Sequence, residues 1–273
     1  GILVHVFWLL YYKMVLKHDP YNAAAHSQLG WWLLSTGKIK EGFKECGWME
    51  NLSSYKVSHC SIPNWTGSEN LKNKTVIIYA DEGIGDTILS LRYAKMVRGL
   101  GVKKIVLMAK YVCVKKLLQA CPYIDLVYDI NMNIPTTDYK IRIGSLPRLF
   151  KTDANTIPSD VPYIQADEKL IEYWAGKLED NKNIKVGLCW QGGDEHDATE
   201  YTRRKNYADL KRSIPLEELS KLGKIKGVSF YSLQKDFLAK DYAFSDGFVI
   251  SDFGSDFDKS SGAFMDTAAI MKN

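Results

Sequence analysis

Thr75-Val76-Ile77-Ile78-Tyr79-Ala80-Asp81-Glu82-Gly83-Ile84-Gly85-Asp86-Thr87 decides how this chain is read. A β-branched apolar run leads into two closely spaced glycines and then into the amphipathic run Ile88, Leu89, Leu91, Tyr93 and Ala94. That order spells a strand, a tight turn and a helix start. The glycines allow a sharp turn and a close approach to a ligand. The new helix directs free N–H groups and a partial positive charge at whatever lies above it. The three-glycine spacing of a dinucleotide fingerprint is missing, as is the Gly-Lys-Ser/Thr of a P-loop. On shape alone the stretch reads equally as a plain strand-to-helix turn with an N-terminal Asp86 or as an active-site loop.

Outward from this stretch, strands and helices alternate. Strands are expected over 75–80, 104–108 and 126–128, with helices over 87–100 and 112–120, and a further strand over 139–143. Such alternation implies a parallel sheet covered on both faces, with ligands at the carboxyl ends of its strands. The Pro-bearing stretch 152–167 reads as an interdomain linker, followed by a helix over 168–178. A second alternation then begins: strands 186–190, 228–233 and 248–250, helices 216–222 and 264–271. The fold class is therefore α/β, with two units at 75–151 and 168–273.

Residues 1–16 are apolar but carry His5 and Lys13, too short a run to span a membrane and without a signal-peptide cleavage pattern. Asp19-Pro20-Tyr21-Asn22-Ala23, followed by Leu29-Gly30, Leu33, Gly37 and Gly42, fits the 34-residue tetratricopeptide spacing. His26 and Gly42 stand where that repeat usually has Trp and Ala. On this reading 1–50 is the end of a helical array that begins upstream, since a repeat needs neighbours to bury its faces. An unrelated helical hairpin is the alternative. Residues 51–74, polar and rich in Ser and Asn, read as a connector with Trp65 tucked against the next unit.

With 36 basic and 32 acidic residues mixed along 273 positions, there is no electrostatic case for nucleic acid and little for a membrane surface. Five cysteines, odd in number and without a Cys-x-x-Cys pair, read as reduced core thiols in a reducing, cytoplasmic compartment.

The order of short pieces carries more. Pro63-Asn64-Trp65-Thr66-Gly67, Asn73-Lys74-Thr75, the glycine turn and Leu91-Arg92-Tyr93-Ala94 come first. Ser145-Leu146-Pro147, Val186-Gly187-Leu188-Cys189-Trp190-Gln191-Gly192, Arg212-Ser213-Ile214-Pro215 and Phe230-Tyr231-Ser232-Leu233-Gln234 follow. Together they resemble bacterial tetratricopeptide-repeat proteins with a glycosyltransferase-family-9-like region, related to the lipopolysaccharide heptosyltransferases. Two departures stand out: Asp81-Glu82 replaces the usual Glu-Gln, and 192–211 is longer than the usual loop.

The resemblance implies a GT-B pair of Rossmann-like domains, the second cut short before its diphosphate-holding loop. It also implies metal-independent transfer of a sugar from a nucleotide-diphosphate donor to an acceptor hydroxyl. The donor is a substrate, no cofactor is implied, and the acceptor is a protein or glycan recruited by the repeats. Asp86 matches the proposed general base, with a helix cap or a plain acceptor contact as its other readings. Glu82, Gly83 and Gly85 complete the acceptor loop. Lys211, Arg212 and Ser213 match the donor-phosphate site, Arg212 favoured for its planar fork, unless Ser213 merely caps a helix beside two solvated cations. Trp190, Gly192 and Gln234 fall at strand ends that would face the donor, and His196 is a candidate for lining the cleft. Two acidic groupings, Asp194-Glu195-His196-Asp197 and Asp256-Phe257-Asp258, look like metal ligands but read as polar loops, and no metal is expected. The alternative function is a repeat scaffold whose GT-B-like region binds a partner without turnover.

Overall fold

The computed structural model describes residues 2–52, 61–133, 136–178, 182–191, 213–235 and 247–273. The chain divides into two compact units, Gly1–Gln165 and Ala166–Asn273. This boundary falls inside the stretch expected as a linker. Residues up to Gln165 nevertheless belong to the first unit, where the Gln165 N–H donates to the Ala120 carbonyl at 3.1 Å.

The first unit opens with helices α1 (Ile2–His18), α2 (Ala23–Ser35) and α3 (Ile39–Cys46). Asn22 caps α2, its side-chain oxygen accepting from the Ala25 N–H at 2.9 Å. Gly37, at φ +80°, makes the turn into α3. The α2–α3 hairpin is antiparallel and close because two glycines face its seam. A Cβ on Gly30 would stand 2.7 Å from the Cys46 backbone nitrogen, and one on Gly42 2.7 Å from Leu34 Cγ. His26 stacks on Trp48 with centroids 4.1 Å apart, bridging the Glu45 carboxylate at 2.5 Å and the Pro20 carbonyl at 2.9 Å.

A four-stranded parallel sheet follows, in the order β3-β2-β1-β4, from β1 (Thr75–Ala80), β2 (Lys104–Ala109), β3 (Leu126–Asp129) and β4 (Tyr139–Arg142). Strand β1 lies inside it and buries Val76, Ile77, Ile78, Tyr79 and Ala80 almost completely. Each such aliphatic side chain contributes about 1.5–3 kcal/mol by leaving water. Asp138 fastens the strand start, accepting from the Thr75 N–H at 2.8 Å and pairing with Lys74 at 3.1 Å. In the connector, Asn64 bridges to Lys140 beside β4, and Trp65 is buried with its Nε1 donating to the Glu69 carbonyl at 3.1 Å.

The helix expected over 87–100 starts earlier and comes in pieces: α4 (Ile84–Ser90), a 3₁₀ turn Leu91–Tyr93, and α5 (Ala94–Gly99). The start moves because Gly83, still extended at φ −62° and ψ 160°, can end the strand turn itself. The expected helix 112–120 likewise shortens to α6 (Lys115–Gln119) behind a 3₁₀ turn. After β4 a 3₁₀ turn, Ile143–Ser145, runs into the short α7 (Leu146–Leu149).

The second unit holds α8 (Glu168–Ala175), β5 (Ile184–Leu188), α9 (Leu216–Leu219), β6 (Val228–Ser232), β7 (Ile250–Ser251) and α10 (Met265–Ile270). Its three strands form a parallel sheet in the order β5-β6-β7. One core cluster joins Trp190, Leu216, Phe230, Phe248 and Ile250, and another joins Trp174, Phe257, Ala269 and Ile270. Among the described residues no helix is long and apolar enough to cross a membrane.

The seam between α2 and α3 gives a direct test. Gly30→Ala places a methyl group against backbone atoms of Cys46 and Gly42. Overpacking of this kind costs about 1–3 kcal/mol, more than the roughly 1 kcal/mol that Ala gains over Gly in a helix. Thermal melting should show the variant several degrees less stable; an unchanged or higher melting temperature refutes the close seam.

Candidate functional site

In the first unit the chain steps from β1 outward through β2 and β3, then returns to place β4 on the other side of β1. Between the carboxyl ends of β1 and β4 the two following segments diverge, and that is where open parallel sheets leave a crevice. A cavity of about 660 Å³ occupies the place. Its floor comes from the loop after β1 (Asp81, Glu82, Gly83, Asp86) and the segment after β4 (Arg142, Gly144, Ser145). Trp31, Leu34, Phe43 and Met49 of the helical segment supply an apolar wall, and Ile157 closes an edge.

Arg142 is the charge that organises the floor. Its Nε donates to Asp81 Oδ1 at 2.9 Å, and its Nη2 stands 4.0 Å from Glu82 Oε1. The Glu82 carboxylate lies over Gly144 so closely that a Cβ there would meet Oε1 at 1.9 Å. Burial pushes the Glu82 carboxyl above its ordinary range; Arg142 opposes the shift, while Asp81 and Asp86 add to it. Two carboxylates, those of Asp81 and Glu82, thus share one guanidinium.

Asp86 is exposed, on the third residue of α4. It is not the cap of that helix, because Gly83 holds the cap position without a side-chain bond. The carboxylate instead leans back toward Gly83, where a Cβ would lie 3.0 Å from Asp86 Oδ2. A Cβ on Gly85 would meet no atom within 4 Å. Asp86, Glu82 and Gly83, named from the sequence as one loop, therefore line one cavity, and of the four only Gly85 is outside its lining.

A second ionic cluster ties the helical segment to the sheet. Arg148 Nη2 donates to Glu50 Oε1 at 2.7 Å, and Ser145 Oγ donates to the same oxygen at 2.5 Å. Gly47 permits it, since a Cβ there would sit 2.4 Å from Arg148 Cδ.

In the second unit, Gln234 and Trp190 do come together, though not as a pair of open cleft side chains. Gln234 Oε1 accepts from the Gln191 N–H at 2.9 Å and the Trp190 N–H at 3.3 Å, fastening the end of β5 to the end of β6. The Trp190 ring is buried among Leu216 and Phe230, and β5 ends at Leu188, ahead of it. Ser213 is partly buried ahead of α9. Gly192, His196, Lys211 and Arg212 lie outside the described residues, as does the grouping Asp194-Glu195-His196-Asp197.

The other acidic grouping holds together a loop. Asp258 accepts from the Asp266 N–H at 2.8 Å and the Thr267 N–H at 3.2 Å, capping α10, while Asp266 accepts from Trp174 Nε1 at 2.8 Å and the Asp258 N–H at 2.8 Å. Burial raises the Asp258 carboxyl above its ordinary range, against the lowering effect of Thr267. The aspartates of this clasp are engaged in folding.

Arg142 and Asp81 escape sequence reading, although the carboxyl-end rule points at both, since Asp81 follows directly on β1 and Arg142 ends β4. Glu50 carries no such signal: 98 positions separate it from Arg148. Compared with protein-family models, curated proteins and solved structures, the chain matches none.

The raised Glu82 carboxyl sets a pH dependence. A folded-state value above the unfolded one means that stability is fully present below the ordinary carboxylate range and is lost as pH rises through the folded value. Glu82→Gln removes that loss, so its melting temperature should exceed wild type at neutral pH, and the gap should close as pH falls below about 4.5. A gap of constant size from about pH 8 to about pH 4 contradicts the assignment.

Proposed function

We propose that this chain belongs to a nucleotide-sugar-dependent glycosyltransferase of GT-B, heptosyltransferase-like type, its first 50 residues forming tetratricopeptide-like helices. The observation that carries the reading is the cavity at the β1/β4 crossover with Asp86 and Glu82 on its floor. An acceptor hydroxyl enters that cavity. As the acceptor oxygen bonds to the anomeric carbon, the bond from that carbon to the donor phosphate breaks and its electron pair leaves with the diphosphate. The hydroxyl proton passes to Asp86, a transfer worth roughly 10²- to 10⁴-fold in rate. Lys211 and Arg212 are assigned to the departing negative charge, with Ser213, Trp190, Gly192 and Gln234 toward the donor.

Two features support the acceptor side. The carboxylate of Asp86 is open to the cavity, as a group meeting an incoming hydroxyl must be. The helical segment forms one wall of the same cavity, so a repeat array and an acceptor site would be continuous.

In the protein that carries this chain, a thermal-shift screen against nucleotide sugars identifies the donor, and Asp86→Asn then tests the base. The variant should keep its fold and donor affinity while turnover falls by about 10²-fold or more. Near wild-type turnover removes Asp86 as the base, and the absence of any donor response favours a non-catalytic scaffold.

A further inference from the structure

A second cavity, of about 490 Å³, opens between α3 and α7. Phe43, Pro147 and Arg148 are common to both cavities, but the second is opposite in charge. Lys40, Lys44, Arg148 and Lys151 converge on it against Glu41 alone.

The convergence follows from three separate pieces of backbone. Lys40 and Lys44 are four apart on α3 and so share one face. Arg148 comes from α7, and Lys151 from the turn behind it, where left-handed backbone at φ +54° swings the chain back. Lys40, Lys44 and Lys151 pair with no carboxylate among the described residues. Arg148 uses Nη2 on Glu50, while its buried Nε has no hydrogen-bond partner among the described residues.

With Arg148 partly neutralised by Glu50, the three lysines around the recess repel each other, and that repulsion is relieved by an anion placed between them. A phosphate ester brings close to two charges and three acceptor oxygens. Lysines meet such a group as point charges and arginine as a planar donor fork. The volume is in the range of small-molecule sites. An extended nucleic-acid backbone needs a basic stripe, whereas these cations gather at one recess.

We propose that this recess is a binding site for a phosphate monoester, held by Lys40, Lys44, Lys151 and Arg148. It stands independently of the transferase reading, and neither Lys40 nor Lys44 lines the acidic cavity.

Calorimetric titration of the chain with inorganic phosphate and with glucose 6-phosphate, at fixed ionic strength, tests the site. Both lysines of α3 are exposed, so Lys40→Ala/Lys44→Ala should melt like wild type. Saturable binding is expected in wild type, weakened about tenfold or more in that double variant and kept within about threefold by Lys40→Arg/Lys44→Arg. Tighter binding of the sugar phosphate assigns the site to an ester; equal binding assigns it to free phosphate. The proposal is overturned if neither titrant saturates up to about 10 mM. It is also overturned if the alanine variant binds as well as wild type, or if chloride at matched ionic strength gives the same heat.

Discussion

Strand β1 is hydrogen-bonded in parallel to β2 on one side and β4 on the other, and the first unit is arranged around that double pairing. Parallel pairing sends the chain out of every strand at the same end, so the glycine loop after β1 and the turn after β4 must emerge side by side. Register does the rest. Tyr79 lies opposite Arg142, two residues before Asp81, which brings the guanidinium within 2.9 Å of that carboxylate. The Asp81–Arg142 ion pair is thus a consequence of strand order, and the acidic floor of the cavity is built on it.

Glycine sets how near the helical segment can come to that floor. Gly30 and Gly42 let α2 and α3 touch, Gly47 admits the Arg148 side chain, and Gly144 admits Glu82. At each of these positions a methyl group would overlap a neighbouring atom, so the omission of a side chain is what lets two different structural elements share one wall. Glu50 then receives Arg148 and Ser145 across that junction. Trp31, Leu34 and Phe43 line the cavity above the polar loop, and Leu34 also packs against Gly42 of α3.

Charge is segregated on a scale that composition hides. A formal net charge of +4 over 273 residues reads as near balance. Yet within one unit a carboxylate-bearing floor and a lysine-rich recess share Phe43, Pro147 and Arg148 in their linings. The floor's carboxylates are accompanied by Arg92, Arg142 and Arg148, whereas the recess sets Lys40, Lys44, Lys151 and Arg148 against Glu41.

By itself the sequence determined the elements with strong local signals. Apolar runs at 75–80 and 104–108 are strands because their period and bulk suit a doubly covered sheet, and the glycine turn after the first requires a loop at its carboxyl end. The α/β class and the gathering of Asp86, Glu82 and Gly83 in one loop were legible for that reason. Helix starts were less so, because Gly83 can end a strand or open a helix and only the packed chain chooses. What tertiary structure alone decided is which distant residues meet: Arg142 with Asp81, Glu50 with Arg148, Asp258 with Asp266, and the burial of Trp190 in a core instead of a cleft. Those meetings depend on strand order and on the contact distance between helices, and both are fixed by burial summed over the whole unit, which no local stretch of sequence encodes.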